Sequence, residues 1–92
     1  MESRVDCLDA AREAIIARPT DYGAPEDNFQ RIAFLWNAYF YARGYKVAIE
    51  PWEVATLMSL LKIARLANSP THADSWIDLA GYAACGAEIT CK

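Results

Sequence analysis

The spacing of the prolines constrains this chain most. They stand at positions 19, 25, 51 and 70. A residue that precedes proline disfavours the α region, whereas proline itself fits the first turn of a helix. Pro19 and Pro70 are therefore expected to follow helix ends, and Pro25 and Pro51 to open helices. The chain is divided into four segments, each long enough for one helix.

The first two segments carry helix signals at both ends. Ser3-x-x-Asp6 resembles a capping box that opens a helix through about Ala17, and Arg18-Pro19 stops it. A turn over 20–24 leads to Pro25, which opens a second helix that ends around 43–45, with Gly44 as a left-handed cap. The two apolar faces follow helical spacing: Val5, Leu8, Ala11 or Arg12, and Ile15, then Phe29, Ile32, Ala33, Trp36, Tyr39 and Phe40.

The third segment, Pro51 to about Asn68, is predicted to be the central helix. It follows a β-prone connector over 46–49 that is too short to form a sheet. A helix that is apolar on nearly every side is expected to be buried. Its apolar residues are Val54, Leu57, Met58, Leu60, Leu61, Ile63, Ala64 and Leu66.

The fourth segment is predicted to be a helix rich in small residues. Thr71-x-x-Asp74 can cap it, and it reaches about Cys91. Gly81 and Gly86 each cost roughly 1 kcal/mol relative to alanine inside a helix. We therefore expect another backbone to approach closely at both glycines.

These segments predict one compact, all-α, four-helix domain over residues 1–92. With 54% of its residues apolar, the chain is not expected to be disordered. A chain this short buries little surface alone, so the apolar surplus predicts a homo-oligomer.

Charge and cysteine usage exclude several classes. A net charge of −3 argues against a broad nucleic-acid surface, and no apolar run approaches the length of a membrane span. Cys7, Cys85 and Cys91 have no metal-type spacing, and an odd number of cysteines indicates free thiols in a reducing cytosol. The first residues lead into a charged helix, not into an apolar signal core.

Lys62 and Arg65 are the first candidate site residues. They lie three apart, so both point to nearly the same side of the central helix. A cation on an almost wholly apolar helix must reach solvent, a carboxylate or an anionic ligand. Snorkelling at the rim of the domain and binding of an anion both remain open.

The fourth helix supplies the acidic candidates. Asp74 and Asp78 lie four apart, one above the other, with Tyr82 continuing the line. Two stacked carboxylates favour a cation between them, and Mg²⁺ needs only one or two carboxylates besides ligand phosphates. Alternatively, Asp74 caps the helix and Asp78 pairs with Lys62 or Arg65.

The remaining candidates are weaker. His72 is either a solvated loop residue or a phosphate contact. The start of the second helix can hold an anion or form a plain Asx-type turn. Aromatic side chains can stack on a base or belong to the core. The residues in these groups are Asp21, Tyr22 and Asn28 at the second helix, and Trp76 and Tyr82 among the aromatics. No phosphate-cradling glycine loop, nucleophilic serine motif or zinc-binding motif is present.

Several stretches carry a family resemblance. They are Asp21-Tyr22-Gly23-x-Pro25-Glu26, Arg31-Ile32-Ala33-x-x-Trp36, Val54-Ala55-x-x-Met58-x-Leu60-Leu61-Lys62-Ile63-Ala64-Arg65 and Asp74-x-Trp76-x-Asp78-x-Ala80-Gly81-Tyr82-Ala83. In these the chain resembles a small family of bacteriophage and prophage proteins with a domain of unknown function. It is also distantly similar to the all-α MazG-like nucleoside-triphosphate pyrophosphohydrolases. Those enzymes hold Mg²⁺ with Glu-x-x-Glu and Glu-x-x-Asp pairs, where this chain has Glu50 and Glu53, then Asp74 and Asp78.

The resulting functional prediction is a phage accessory protein in the host-cell cytosol. It is expected to bind a nucleotide, or a nucleotide-derived host defence signal, without catalysis and without a cofactor. Two alternatives remain open: a Mg²⁺-dependent pyrophosphohydrolase, and a protein–protein interaction module that acts on a host factor.

Overall fold

The computed structural model describes residues 3–17 and 25–91. Within these ranges the chain forms helices and no strand. The helices are α1 (Arg4–Ile16), α2 (Pro25–Ala42), α3 (Pro51–Asn68) and α4 (Ala73–Thr90). The all-α, four-helix prediction is confirmed. The predicted stop at Arg18-Pro19 and the turn over 20–24 lie outside the described residues.

Helix α1 begins as predicted but is buried less than its pattern indicates. Ser3 is its N-cap, and the Ser3 hydroxyl accepts a hydrogen bond from the Asp6 N–H at 3.1 Å. Only Ala11 of its apolar face is buried, while Val5 and Leu8 are 58% and 62% exposed. Helix α1 packs on α4, and Ala11 is its buried residue.

Helix α2 ends in a Schellman motif at Gly44. The Tyr45 N–H donates to the Phe40 carbonyl at 2.8 Å, and the Gly44 N–H donates to the Tyr41 carbonyl at 2.9 Å. Gly44 has φ +82°, a left-handed backbone conformation that glycine adopts at little cost in free energy. The rings of Phe40 and Tyr45 lie 6.3 Å apart and supply the apolar contact of the motif. The predicted left-handed cap is confirmed.

The connector after α2 is fixed by a side chain that the sequence analysis missed. Asn37 Nδ2 donates to the Ile49 carbonyl at 3.0 Å, and the Ile49 N–H donates to Asn37 Oδ1 at 2.8 Å. The side-chain amide of Asn37 thus satisfies both backbone groups of Ile49, as a neighbouring β-strand would. The connector remains irregular, as predicted, and its end is held where α3 begins.

The core is small and centred on α4. Helix α4 packs against each of the other three helices, most extensively against α3, while α3 also packs against α2. The buried hydrophobic residues are Ala11, Phe29, Ala33, Val54, Ala55, Leu66 and Cys85. Most of these side chains are small, so the helices approach closely but bury little apolar area.

The prediction that α3 is buried on every side is wrong for the single chain. Its inward side buries Val54, Ala55 and Leu66. Its outward side leaves four large apolar residues between 39% and 54% exposed, namely Leu57, Leu60, Leu61 and Ile63. Helix α3 is apolar on both sides, but α4 covers only one of them, with help from α2.

The two glycines of α4 have different surroundings. A methyl group added at Gly86 would lie 3.4 Å from Ala55 Cβ, so the predicted close approach exists there. A methyl group added at Gly81 would meet no atom of the described residues within 4 Å. Among the described residues, the close approach expected at Gly81 is therefore absent.

Candidate functional site

An open groove lies where α3 ends and α4 begins. Its volume is about 480 Å³, and α3 supplies most of its wall. The lining residues are Leu61, Ala64, Arg65, Asn68, Ser69 and His72. Two of the predicted ligand-binding residues, Arg65 and His72, therefore share one surface.

Backbone and side-chain hydrogen bonds fix the turn that forms the floor of the groove. The Ser69 N–H donates to the Arg65 carbonyl at 2.9 Å, and the His72 N–H donates to the Ser69 carbonyl at 3.1 Å. The Trp76 indole N–H donates to the Pro70 carbonyl at 2.9 Å. The groove is consequently built on a tied turn between two helices.

His72 occupies the N-cap position of α4, one residue after the predicted Thr71. Its Nδ1 lies 2.8 Å from the hydroxyl of Ser75, which is 1% exposed. Because Nδ1 is engaged with Ser75, the ring orientation is set and Nε2 is left for other partners. The prediction of a plain solvated loop residue is therefore incomplete, since His72 is exposed but anchored.

Arg65 provides the positive charge of the groove. It is exposed, and it forms no ion pair with any carboxylate in the described part of the chain. A guanidinium group offers donors in a planar fork that matches a carboxylate or a phosphate. Arg65 is thus placed to meet an anion from solution.

Lys62, in contrast, already has a partner. Its Nζ lies 3.0 Å from Asp78 Oδ2, and its side chain is 12% exposed. This ion pair joins α3 to α4, as expected under the alternative in which Asp78 pairs with Lys62 or Arg65. Lys62 and Arg65 lie on one helix, but Lys62 is paired with Asp78 whereas Arg65 is exposed.

The structure distributes the other candidates over several places. Asp74 is exposed in the first turn of α4, and Trp76 supports the turn. Tyr82 packs against the core with its ring 6.3 Å from that of Phe29, as expected of a core aromatic. Asn28 is half-buried in α2. Asp21 and Tyr22 lie outside the described residues.

The Glu-x-x-Glu pair of the MazG-like resemblance caps a helix here. Glu50 is the N-cap of α3, and its N–H donates to Glu53 Oε1 at 2.9 Å. Among the described residues no group of three or more His, Cys, Asp or Glu side chains is arranged to hold a metal ion. The Glu53 carboxylate accepts the hydrogen bond that caps α3, and the Asp78 carboxylate pairs with Lys62.

Sequence comparison places the chain among known families. A family described as "Domain of unknown function (DUF6378)" matches residues 6–90. The chain belongs to this family. The match spans all four helices, including both sides of the groove, so the groove is part of the DUF6378 domain.

Two bacteriophage proteins are similar to this DUF6378 chain. The Gene 55 protein of Mycobacterium phage L5 is 48% identical over 66 residues, which cover 72% of this chain and 40% of the phage protein. The Gene 55 protein of Mycobacterium phage D29 is 43% identical over 68 residues, covering 74% and 42%. The chain therefore spans about two-fifths of the length of these relatives.

No solved structure matches the chain. In the described residues, no helix is long and apolar enough to cross a membrane. The resemblance to a phage domain of unknown function is confirmed at the level of the family.

Proposed function

We propose that this DUF6378 domain binds a phosphate-bearing small molecule, a nucleotide or a nucleotide-derived signal, in the groove beside Arg65. The supporting observation is that three kinds of group line one concave surface: an exposed guanidinium with no ion-pair partner among the described residues, two neutral polar side chains and an anchored histidine. Because the similar proteins belong to phages, sequestration of a host defence signal is the biological role proposed for such binding.

The chemistry of the groove matches the two parts of a nucleotide. Arg65 can hold a phosphate with two parallel hydrogen bonds, while Asn68 and Ser69 can donate to its remaining oxygens. Leu61 and Ala64 supply an apolar wall against which a flat base can lie. A volume of about 480 Å³ falls within the range of small-molecule sites.

Titration calorimetry with a panel of mono-, di-, tri- and cyclic nucleotides tests this proposal. The native chain is expected to bind at least one of them, and Arg65→Gln is expected to abolish the heat. Lys46→Gln is the matched control, because Lys46 is an exposed cation on the connector, away from the groove. Absence of heat with the whole panel contradicts nucleotide binding.

The same panel with Mg²⁺ decides between binding and hydrolysis. Asp78 already holds Lys62, and Glu53 holds the cap of α3, so the geometry favours binding without turnover. Release of pyrophosphate, lost in Asp74→Asn, would replace the binding proposal with the pyrophosphohydrolase alternative.

A second candidate function, a protein interaction module, is favoured by the outer side of α2. Phe34 and Tyr41, seven residues apart and therefore on one side of the helix, are 70% and 84% exposed there. Exposed aromatic side chains are typical anchors of protein interfaces. A photoreactive residue at position 41 is expected to give one discrete cross-linked protein, and the same residue at exposed Glu88 of α4 is the control.

A further inference from the structure

The outer side of α3 carries a continuous apolar seam. Leu57, Leu60, Ala64 and Ala67 follow one another at intervals of three and four residues, and all four are exposed. This spacing keeps side chains on one side of a helix and is the pattern of a helix-to-helix contact. The flanking residues Leu61 and Ile63 are about half exposed and widen the seam.

The exposed area of the whole chain exceeds that of a compact monomer. It exposes 6780 Å², whereas a folded monomer of this mass exposes about 5,400 Å². Its radius of gyration is 14.5 Å, against about 12 Å for a compact domain of this length. The excess in exposed surface area is larger than the roughly 800 Å² that each partner buries in a standard interface.

The seam is complementary to itself in one direction. Its N-terminal half presents the large side chains Leu57 and Leu60, and its C-terminal half presents the small Ala64 and Ala67. In an antiparallel pair, large side chains of one copy meet small ones of the other, and the interface packs without gaps. A parallel pair would set leucine against leucine and leave space between the alanines.

We infer that the outer side of α3 binds a second copy of this chain in an antiparallel, two-fold symmetric dimer. Such an isologous contact uses the same patch on both copies. Ala64 belongs both to the seam and to the wall of the Arg65 groove, so the second copy's α3 borders each groove. Dimerisation through α3 does not require a ligand, and it can be measured without one.

Light scattering coupled to size exclusion tests the dimer. At concentrations well above about 1 µM, where a standard interface is occupied, the native chain is expected to have twice its 10.3 kDa mass. Leu60→Glu and Ala67→Arg each place a charge on the seam and are expected to halve that mass. Both positions are exposed, so the helical circular dichroism is expected to remain.

Leu35→Glu is the matched control for Leu60→Glu, since Leu35 is 58% exposed but lies on α2. It is expected to keep the dimer mass. A native chain of monomer mass would overturn the inference, and would leave the seam to a different protein or to another segment of a longer chain. Loss of the dimer in Leu35→Glu, or its retention in both α3 variants, would equally overturn it.

Discussion

Lys62 Nζ lies 3.0 Å from Asp78 Oδ2, and this ion pair links α3 to α4 next to the core. The lysine side chain is 12% exposed and the aspartate 46%. The pair is therefore partly shielded from water on the lysine side only. Its loss would leave a largely buried ammonium group without a counter-charge.

Asp78→Ala is expected to lower the free energy of unfolding by about 1–3 kcal/mol, less than for a fully buried pair because water reaches the aspartate. Lys62→Met in the same chain removes the unpaired charge and is expected to recover part of that loss. Urea unfolding of the two single variants and the double variant measures the coupling. Strictly additive losses would show that the contact contributes no stability.

Asn37→Ala is expected to destabilise the fold by about 2 kcal/mol, since it removes two hydrogen bonds to Ile49 and leaves that backbone without its partner. Hydrogen exchange at the Ile49 amide is expected to accelerate in the variant. Gln30→Ala, at an exposed position of the same helix, should change neither quantity. An unaltered Ile49 amide in Asn37→Ala would mean that the connector is held by other contacts.

Alanine at position 81 and alanine at position 44 are expected to change the free energy of unfolding in opposite directions. Gly81→Ala should raise the free energy of unfolding by about 0.5–1 kcal/mol, because the added methyl group meets no atom of the described residues within 4 Å and glycine weakens a helix interior. Gly44→Ala should lower it by about 1 kcal/mol, because Gly44 has φ +82°. Thermal melts of both variants check the pair. Equal signs would contradict the local backbone argument at one of the two glycines.

The sequence predicted the helices well because their ends are set by local chemistry. Pro51 fixes the start of α3, Ser3 caps α1, and Gly44 accepts the left-handed conformation that ends α2. Each signal acts within a few residues of the chain. None of them depends on which helices become neighbours.

Burial was harder to predict because it depends on the other helices. Leu60 and Val54 are both apolar residues of α3, yet Val54 is fully buried and Leu60 is 54% exposed. What distinguishes them is the position of α4 and α2, which cover the side of α3 that carries Val54. The bond from Asn37 to Ile49 was missed for a similar reason, since twelve residues separate the partners and no local pattern connects them.

Only part of the candidate site could be predicted, again because the surroundings of a side chain depend on the neighbouring helices. Arg65 and His72 line one groove because the turn between α3 and α4 is short. Lys62 lies only three residues before Arg65, but that step rotates its side chain toward α4 and Asp78. The three-residue spacing indicated that Lys62 and Arg65 lie on the same side of α3. In the structure, the edge of the buried surface of α3 runs between them.

Arg65→Lys gives the sharpest test of how the groove would hold a phosphate. Lysine keeps the charge but cannot form the planar, two-bond contact of a guanidinium. If Arg65 binds phosphate bidentately, the lysine variant should bind about tenfold more weakly, a loss of about 1.4 kcal/mol. Arg65→Gln, which lacks the charge, should bind more weakly still. If Arg65 acts only as a point charge, Arg65→Lys should bind like the native chain, and added salt should weaken both equally.

Because Arg65 is exposed, neither substitution should alter the thermal melt of the ligand-free chain. A lower melting temperature in both would show that Arg65 supports the fold and would remove it from the site.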